Sequence, residues 1–346
     1  MSQQSTISKM DTPTRRQFLS LSGIAAATAA SGLVSAPSLL AQDKQKEKPL
    51  ADQRNPWIYH FKIGEIDAWS ISDGFMNIRQ GLSLMYPESE RNNMAQALKE
   101  QSEPLDHLPL YVNILVIKKG NEIALFDAGF GAPEKNNRGW LVSGLEQIGI
   151  KPDDVTHTFL SHTHSDHIAG FTTDGKPTFK NAAFYITPEE YKYWRSPNPD
   201  FSKTKRDPKA IPGMIKNAQK HLEILTPNKQ FSPVGAELLG RAVTIENGFG
   251  HTPGHALFRI RCQETNEELL HTVDLAHNHI LMFQDPTWNI GWDNNLEMAA
   301  QTRKRVFSQA AAKKTRTFGF HLPFPGLGRI APKGKGYTWI PERLFW

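Results

Sequence analysis

The sequence predicts a single α/β domain built from layered sheets and helices, and three observations carry that prediction. Short apolar runs that read as strands alternate with stretches of helical spacing from about residue 57 onward. Each cluster of His and Asp falls at the end of one of those strands. At 346 residues the chain is long enough to bury a sizeable core.

Ile58–Ile63 and Ile66–Ile71 read as two strands turning at Gly64-Glu65. Residues 91–101 are helix-like, and Tyr111–Lys118 with Glu122–Asp127 form a second strand pair around Gly120. Leu141, Leu145 and Ile148 repeat at helical spacing until Gly149 stops them. Val155–Leu160 is a strand that runs into a histidine cluster. Ala182–Ile186 is another, and Pro188-Glu189-Glu190 opens a helix. Residues 195–212 hold four prolines among many charges and read as an irregular surface excursion. Arg241–Glu246, Leu257–Cys262 and Glu268–Val273 are strands, 295–311 is an amphipathic helix, and Thr315–Phe320 is the last strand.

Composition is that of an ordinary globular chain, 39% apolar and 22% charged. Thr14-Arg15-Arg16-Gln17-Phe18-Leu19 has the pattern of a twin-arginine export signal, followed by an alanine-rich apolar run to Val34 and small residues near Ala41. That run is too short and too polar for a stable membrane span. Residues 1–41 therefore read as a signal peptide, 42–56 as a linker and 57–346 as the folded domain. The twin-arginine machinery is the expected export partner and the periplasm or exterior the expected location. The formal charge of +5 drops to +3 without the leader, too weak a bias to argue for nucleic acid. A lone cysteine, Cys262, excludes a disulfide framework and any multi-Cys zinc site.

Ser161-His162-Thr163-His164-Ser165-Asp166-His167 places three imidazoles and a carboxylate within six positions just after a strand. In extended backbone residues i and i+2 point the same way, so His162 and His164 can share one cation. Asp166 and His167, where the chain turns into a helix, can face a second. Further donors are expected at strand ends downstream. Gly250-His251-Thr252-Pro253-Gly254-His255 is a tight turn presenting His255, with His251 read as a hydrogen bonder that fixes the loop. Asp274 ends one strand and can bridge two ions; His321 ends another. All of these are N or O donors, which suit zinc and also manganese, cobalt or iron.

His162-x-His164-x-Asp166-His167, Thr-Pro-Gly-His255, Asp274 and His321, in that order, resemble the ligand series of the metallo-β-lactamase superfamily. The resemblance spans roughly residues 55–346. It implies an αββα four-layer sandwich and two divalent ions, zinc by default. His162, His164 and His255 would hold one ion, Asp166, His167 and His321 the other, and Asp274 would bridge. Asp127, in Phe126-Asp127-Ala128-Gly129, matches an acidic residue that buttresses such sites; Ala128 departs from a common Thr and puts one supporting hydrogen bond in doubt. Phe283-Gln284-Asp285-Pro286 and His321–Ile330 resemble the group of methyl parathion hydrolase and its lactone- and ester-hydrolysing relatives, often dimeric.

That likeness implies hydrolysis by a metal-bridging hydroxide, with no need for a Ser or Cys nucleophile. Asp166 would orient the attacking group or accept its proton, and His277 would donate to the substrate oxygen or the leaving group. Trp194, Met282 and Phe283 are expected in an apolar pocket for a small molecule, a lactone or ester. A phosphotriester is the first alternative substrate and a β-lactam the second. A periplasmic metal-binding protein without turnover is the alternative that is not an enzyme.

Overall fold

The computed structural model describes residues 57–131 and 137–345. Residues 1–56, where the sequence reading places a signal peptide and a linker, lie outside the described residues. Two seven-stranded sheets make the framework. The first opens with three antiparallel strands, β1 (Ile58–Ile63), β2 (Ile66–Arg79) and β3 (His107–Lys119), followed by β4 (Glu122–Phe126) and β5 (His157–Phe159). After a two-stranded ribbon, β6 (Thr172–Thr173) and β7 (Lys176–Pro177), it closes with β8 (Ala183–Ile186) and β9 (Lys229–Phe231). From β4 to β9 this sheet is parallel.

The second sheet follows chain order: β10 (Glu237–Leu238), β11 (Val243–Asn247), β12 (Ala256–Arg261), β13 (Glu268–Val273), β14 (Arg316–Gly319), β15 (Leu327–Lys333) and β16 (Gly336–Pro341). Only the β13–β14 pair is parallel. The sheets pack face to face through aromatic rings. Phe126 of β4 and Phe159 of β5 lie 5.0 and 5.9 Å from Phe258 of β12. Parallel pairing in each sheet sends the C-terminal ends of β4, β5, β13 and β14 to a common edge, where Asp127, Ser161, Asp274 and His321 emerge.

Among the described residues eight α-helices complete the layers: α1 (Gly81–Met85), α2 (Arg91–Glu100), α3 (Leu141–Gln147), α4 (Ser165–Ile168), α5 (Pro188–Arg195), α6 (Ile211–Leu225), α7 (Leu281–Gln284) and α8 (Leu296–Lys313). α3 covers the first sheet at β2 and α8 covers the second at β15. The side chain of Asn295 caps α8 by accepting from Met298 N at 3.1 Å, and the buried Val306 and Phe307 face inward. No described helix is long and apolar enough to cross a membrane.

Three differences from the sequence reading shape the site. β2 and β3 run on past a bulge at Ser72–Gly74, pairing down to Arg79 with His107. Asp73, Gly74 and Pro109 hide this extension in the sequence. Pro109 is tolerated because β3 there has a neighbour on one side only, since β4 pairs from Leu115 onward. The excursion at 195–212 leads straight into α6, where Pro212 occupies the first turn and needs no helical N–H. Thr315–Phe320 is not the last strand: β15 and β16 follow as a hairpin turning at Gly334, φ +58°.

Candidate metal centre

Asp274 is the hub of the site. It is 2% exposed, and its Oδ2 lies 3.1 Å from His277 Nε2, 3.2 Å from His321 Nε2, 3.3 Å from His251 Nε2 and 3.6 Å from His162 Nε2. Its Oδ1 faces His167 Nε2 at 3.3 Å. Val273, just before it, holds φ +47° beside a register shift in β13. A β-branched residue in the left-handed region costs about 1–3 kcal/mol, and the strain here aims the Asp274 carboxylate into the cluster.

Two donor sets flank this carboxylate. On one side His162 Nε2 and His251 Nε2 each approach His164 Nδ1 to 2.9 Å. On the other, Asp166 Oδ2 lies 3.5 Å from His321 Nε2 and 3.9 Å from His167 Nε2. The first set with Asp274, and likewise Asp166, His167 and His321, offer ligand atoms all within 4.8 Å of one another. Donors about 2.0–2.1 Å from a shared tetrahedral ion stand roughly 3.3 Å apart, so the spacing fits a divalent cation. The chemistry of the set fits as well. His167 Nε2 and Asp274 Oδ1 are buried with no hydrogen-bond partner among the described residues, a costly state that a cation between them would relieve.

Supporting residues fix the rings. Asp127, at φ +61°, accepts from Ser161 N at 2.8 Å and Ser161 Oγ at 2.7 Å and holds His167 Nδ1 at 2.8 Å. Ser161 Oγ also reaches His162 Nδ1 at 3.0 Å, so a serine one residue before the motif makes a contact to the ring while Ala128 makes none. Buried Asp293 holds His251 Nδ1 at 2.8 Å. Tyr111 O holds His321 Nδ1 at 2.6 Å, and Asn113 Nδ2 donates to Leu322 O at 2.6 Å, so β3 pins the loop after β14.

The electrostatics follow from burial and from these partners. Burial holds His162 and His164 well below the usual imidazole range. Burial acts the same way on His167, but Asp274, Asp127 and Asp166 outweigh it and push that ring well above. Burial opposes ionisation of Asp274, yet His167, His321, His277 and His162 hold its carboxyl well below the usual value. Burial brings His277 down to about 4, so it is neutral near pH 7 and can donate one ring proton.

The structure exchanges the two histidines of the Pro-Gly turn. His251, read as a loop-fixing residue, stands in the donor cluster. His255, expected there as a ligand, does not: its Nδ1 donates to Gly248 O at 2.8 Å and its Nε2 faces Asp274 N at 3.4 Å. Both of its nitrogens are used within the protein, and burial brings it down to about 3. Both rings flank one tight turn, and spacing alone does not say which reaches the centre. His162, His164, Asp166, His167, Asp274 and His321 are brought together as the sequence reading placed them.

A cavity of about 370 Å³ opens over the cluster, with Met76, Leu110, Met214 and Trp292 as apolar wall and Arg206 and Asn217 as polar wall. His277 and Asp166 line it. The expected pocket residues do not. Trp194 is fully buried and donates from Nε1 to Glu190 at 2.7 Å. Met282 is in the core, and Phe283 stacks on Phe307 at 4.7 Å. Large apolar side chains near a site are drawn into the core by the same force as any others. Arg206, Asp293 and Glu190 were missed because each acts from a segment with no motif around it.

The sequence matches the metallo-β-lactamase superfamily over residues 107–310, more than half of the chain. A protein of Methanocaldococcus jannaschii described as "Probable metallo-hydrolase" is 35% identical over 51 residues, a match spanning 15% of this chain and 23% of that relative. Among solved structures, the dizinc quorum-quenching lactonase AidC, in complex with a product, superposes with TM-score 0.79 at 29% identity, covering 84% of this chain and 99% of AidC. The hydrolase AbOPH of the beta-lactamase superfamily gives TM-score 0.76 at 23% identity over 85% of this chain and all of its own, a likeness of fold. The chain belongs to the metallo-β-lactamase superfamily and is a metal-dependent hydrolase of that family.

Proposed function

We propose that the chain binds two divalent cations, zinc by default, and hydrolyses a lactone or carboxylic ester carrying an apolar acyl or aromatic group. The observation that carries this reading is Asp274, whose two oxygens face imidazole donors of both sets within 3.2–3.6 Å. When bound, such a pair of cations supplies a water activated at neutral pH and polarises the scissile carbonyl. His162, His164 and His251 would hold one, Asp166, His167 and His321 the other, and Asp274 would lie between them.

The chain's own groups then divide the remaining work. His277, neutral and facing the cavity, donates to the oxygen that gains charge or to the departing alkoxide. Asp166 is placed to orient the attacking group from the opposite side. The apolar wall of Met76, Leu110, Met214 and Trp292 excludes water from the rest of the substrate. Arg206, which burial brings down only to about 10, stays charged and offers its guanidinium to a second oxygen of the substrate. The product held by AidC, N-hexanoyl-L-homoserine, has this pattern of an apolar chain and an amide oxygen beside a carboxylate.

The likeness to the methyl parathion hydrolase group keeps a phosphotriester as the second reading, since the same donor set would polarise P=O. Rates on an acyl homoserine lactone, a δ-lactone, a paraoxon-type triester and nitrocefin separate the readings. Fastest turnover is expected on a lactone. A triester or nitrocefin rate that exceeds every lactone and ester rate overturns the substrate class. The twin-arginine pattern makes export to the periplasm part of this proposal, with the export machinery as its partner.

A further inference from the structure

Glu190 is a carboxylate without a place in the chemistry above, yet it is fully buried. It stands in the first turn of α5, whose cap residue Thr187 accepts from Glu190 N at 3.3 Å. Its Oε1 accepts from Thr163 N at 2.8 Å and from Trp194 Nε1 at 2.7 Å. Its Oε2 accepts from Thr252 Oγ1 at 2.6 Å and from Gly254 N at 3.0 Å. Burial pushes its pKa up, and the four donors oppose that shift.

These partners are not scattered. Thr163 lies between His162 and His164, and Thr252 and Gly254 follow His251. The two oxygens of one side chain therefore tie together the two loops that supply three imidazoles to one side of the cluster. The approach is close. A Cβ on Gly254 would stand 2.1 Å from Glu190 N, so only glycine lets the turn reach α5. Thr187 Oγ1 adds a bond to Gly254 O at 2.7 Å.

We propose that Glu190 is a positioning residue that sets His251 against His162 and His164, and so governs affinity for one cation of the pair but not the other. Asp166, His167 and His321 have their own supports in Asp127 and Tyr111 and do not depend on it. This inference rests on reading the cluster as a two-cation site.

The amide Glu190→Gln tests the directionality. All four partners are donors, so the new NH2 must face some of them. Facing Thr163 N and Trp194 Nε1 would oppose two N–H groups. Facing Thr252 and Gly254 opposes one, because the Thr252 hydroxyl can turn and accept. The second orientation wins, and the strain falls on the loop that carries His251.

The experiment compares the full mature chain, Glu190→Gln, Thr252→Val and Trp194→Phe by zinc competition with a chromophoric chelator, and by visible absorption of each protein titrated with cobalt(II). The expected result for Glu190→Gln is one cation bound as in the wild type and the other roughly 10- to 100-fold more weakly. Thr252→Val should weaken the same cation to a smaller extent, and it gives the readout if Glu190→Gln does not fold. Trp194→Phe removes a bond to neither loop and keeps a ring beside His164, so it should change either affinity by less than Thr252→Val does. Wild-type affinity for both cations in Glu190→Gln overturns the inference. So does equal weakening of both, or a Trp194→Phe protein that behaves like Glu190→Gln, since each marks a general structural role. A wild-type chain that binds no zinc overturns instead the reading on which the inference rests.

Discussion

Replacing Asp127 by Asn changes one oxygen to an NH2 and leaves shape and volume nearly intact. The backbone tolerates the exchange, because Asn accepts the left-handed φ of +61° as readily as Asp. In the native protein Oδ1 accepts from Ser161 N at 2.8 Å, while Oδ2 takes Ser161 Oγ at 2.7 Å and His167 Nδ1 at 2.8 Å. With His167 Nε2 turned to a cation, its Nδ1 carries the proton. The Asn amide keeps the bond from Ser161 N and opposes its own N–H to that of His167. A buried donor without an acceptor costs about 1–3 kcal/mol. At about 1.4 kcal/mol per tenfold, that is roughly a 5- to 150-fold loss of affinity for the cation held by His167. Competition with a chromophoric chelator measures the affinity, steady-state kinetics on the same sample measures turnover, and the melting temperature at saturating metal checks the fold. A D127N protein within about twofold of wild type in affinity and turnover would refute the argument that Asp127 acts by holding the His167 proton.

His251→Ala should lose one equivalent of metal with its turnover, while His255→Gln keeps both and is less stable by about 1–3 kcal/mol; metal analysis and melting separate them, and the reverse pattern contradicts the exchange of roles. Arg206→Met should raise KM roughly 10- to 100-fold because a charged hydrogen bond to substrate is lost, with metal content measured alongside since Arg206 Nη2 also lies 2.9 Å from His164 Nε2; an unchanged KM removes Arg206 from recognition. Part of the acid dependence of the metal-free protein's stability should come from two buried rings. Burial brings His255 and His271 down to about 3, so below the ordinary value near 6.5 the unfolded chain takes protons that the folded chain refuses. Each ring then destabilises the fold by about 2 kcal/mol at pH 5 and contributes nothing above about pH 7. Denaturant titrations of the wild type and His271→Gln at both pH values check this; the variant should lose its share of the fall, and a variant that falls as steeply as the wild type contradicts it.

What could be read from the sequence was what is local. His162 to His167 share one strand end and one helix start, so extended and helical geometry alone group them. Asp274 and His321 were legible as polar residues closing apolar strands. The turn at Thr252-Pro253-Gly254 defeats the same logic, because His251 and His255 flank it symmetrically in sequence. Only the hydrogen bonds of His255 to Gly248 O and at Asp274 N show which ring faces away. The pocket was illegible for another reason. Its wall comes from Met76 and Leu110 on the extended ends of β2 and β3, disguised by Gly74 and Pro109, and from Met214 on a helix with a proline in its first turn. Trp194 and Phe283 stand near the right segments but turn inward, where Trp194 finds a hydrogen-bond acceptor and Phe283 an aromatic partner. Asp293 and Glu190 support the centre across long sequence separations, which no spacing rule reaches.

The most direct test measures metal content and lactone hydrolysis on one sample of the protein, before chelation, after it, and after zinc is restored. The account predicts two equivalents of metal per chain, loss of hydrolysis as they leave, and recovery as they return. Hydrolysis that persists at full rate in metal-free protein would contradict it, as would a chain that holds two equivalents and turns over no lactone or ester.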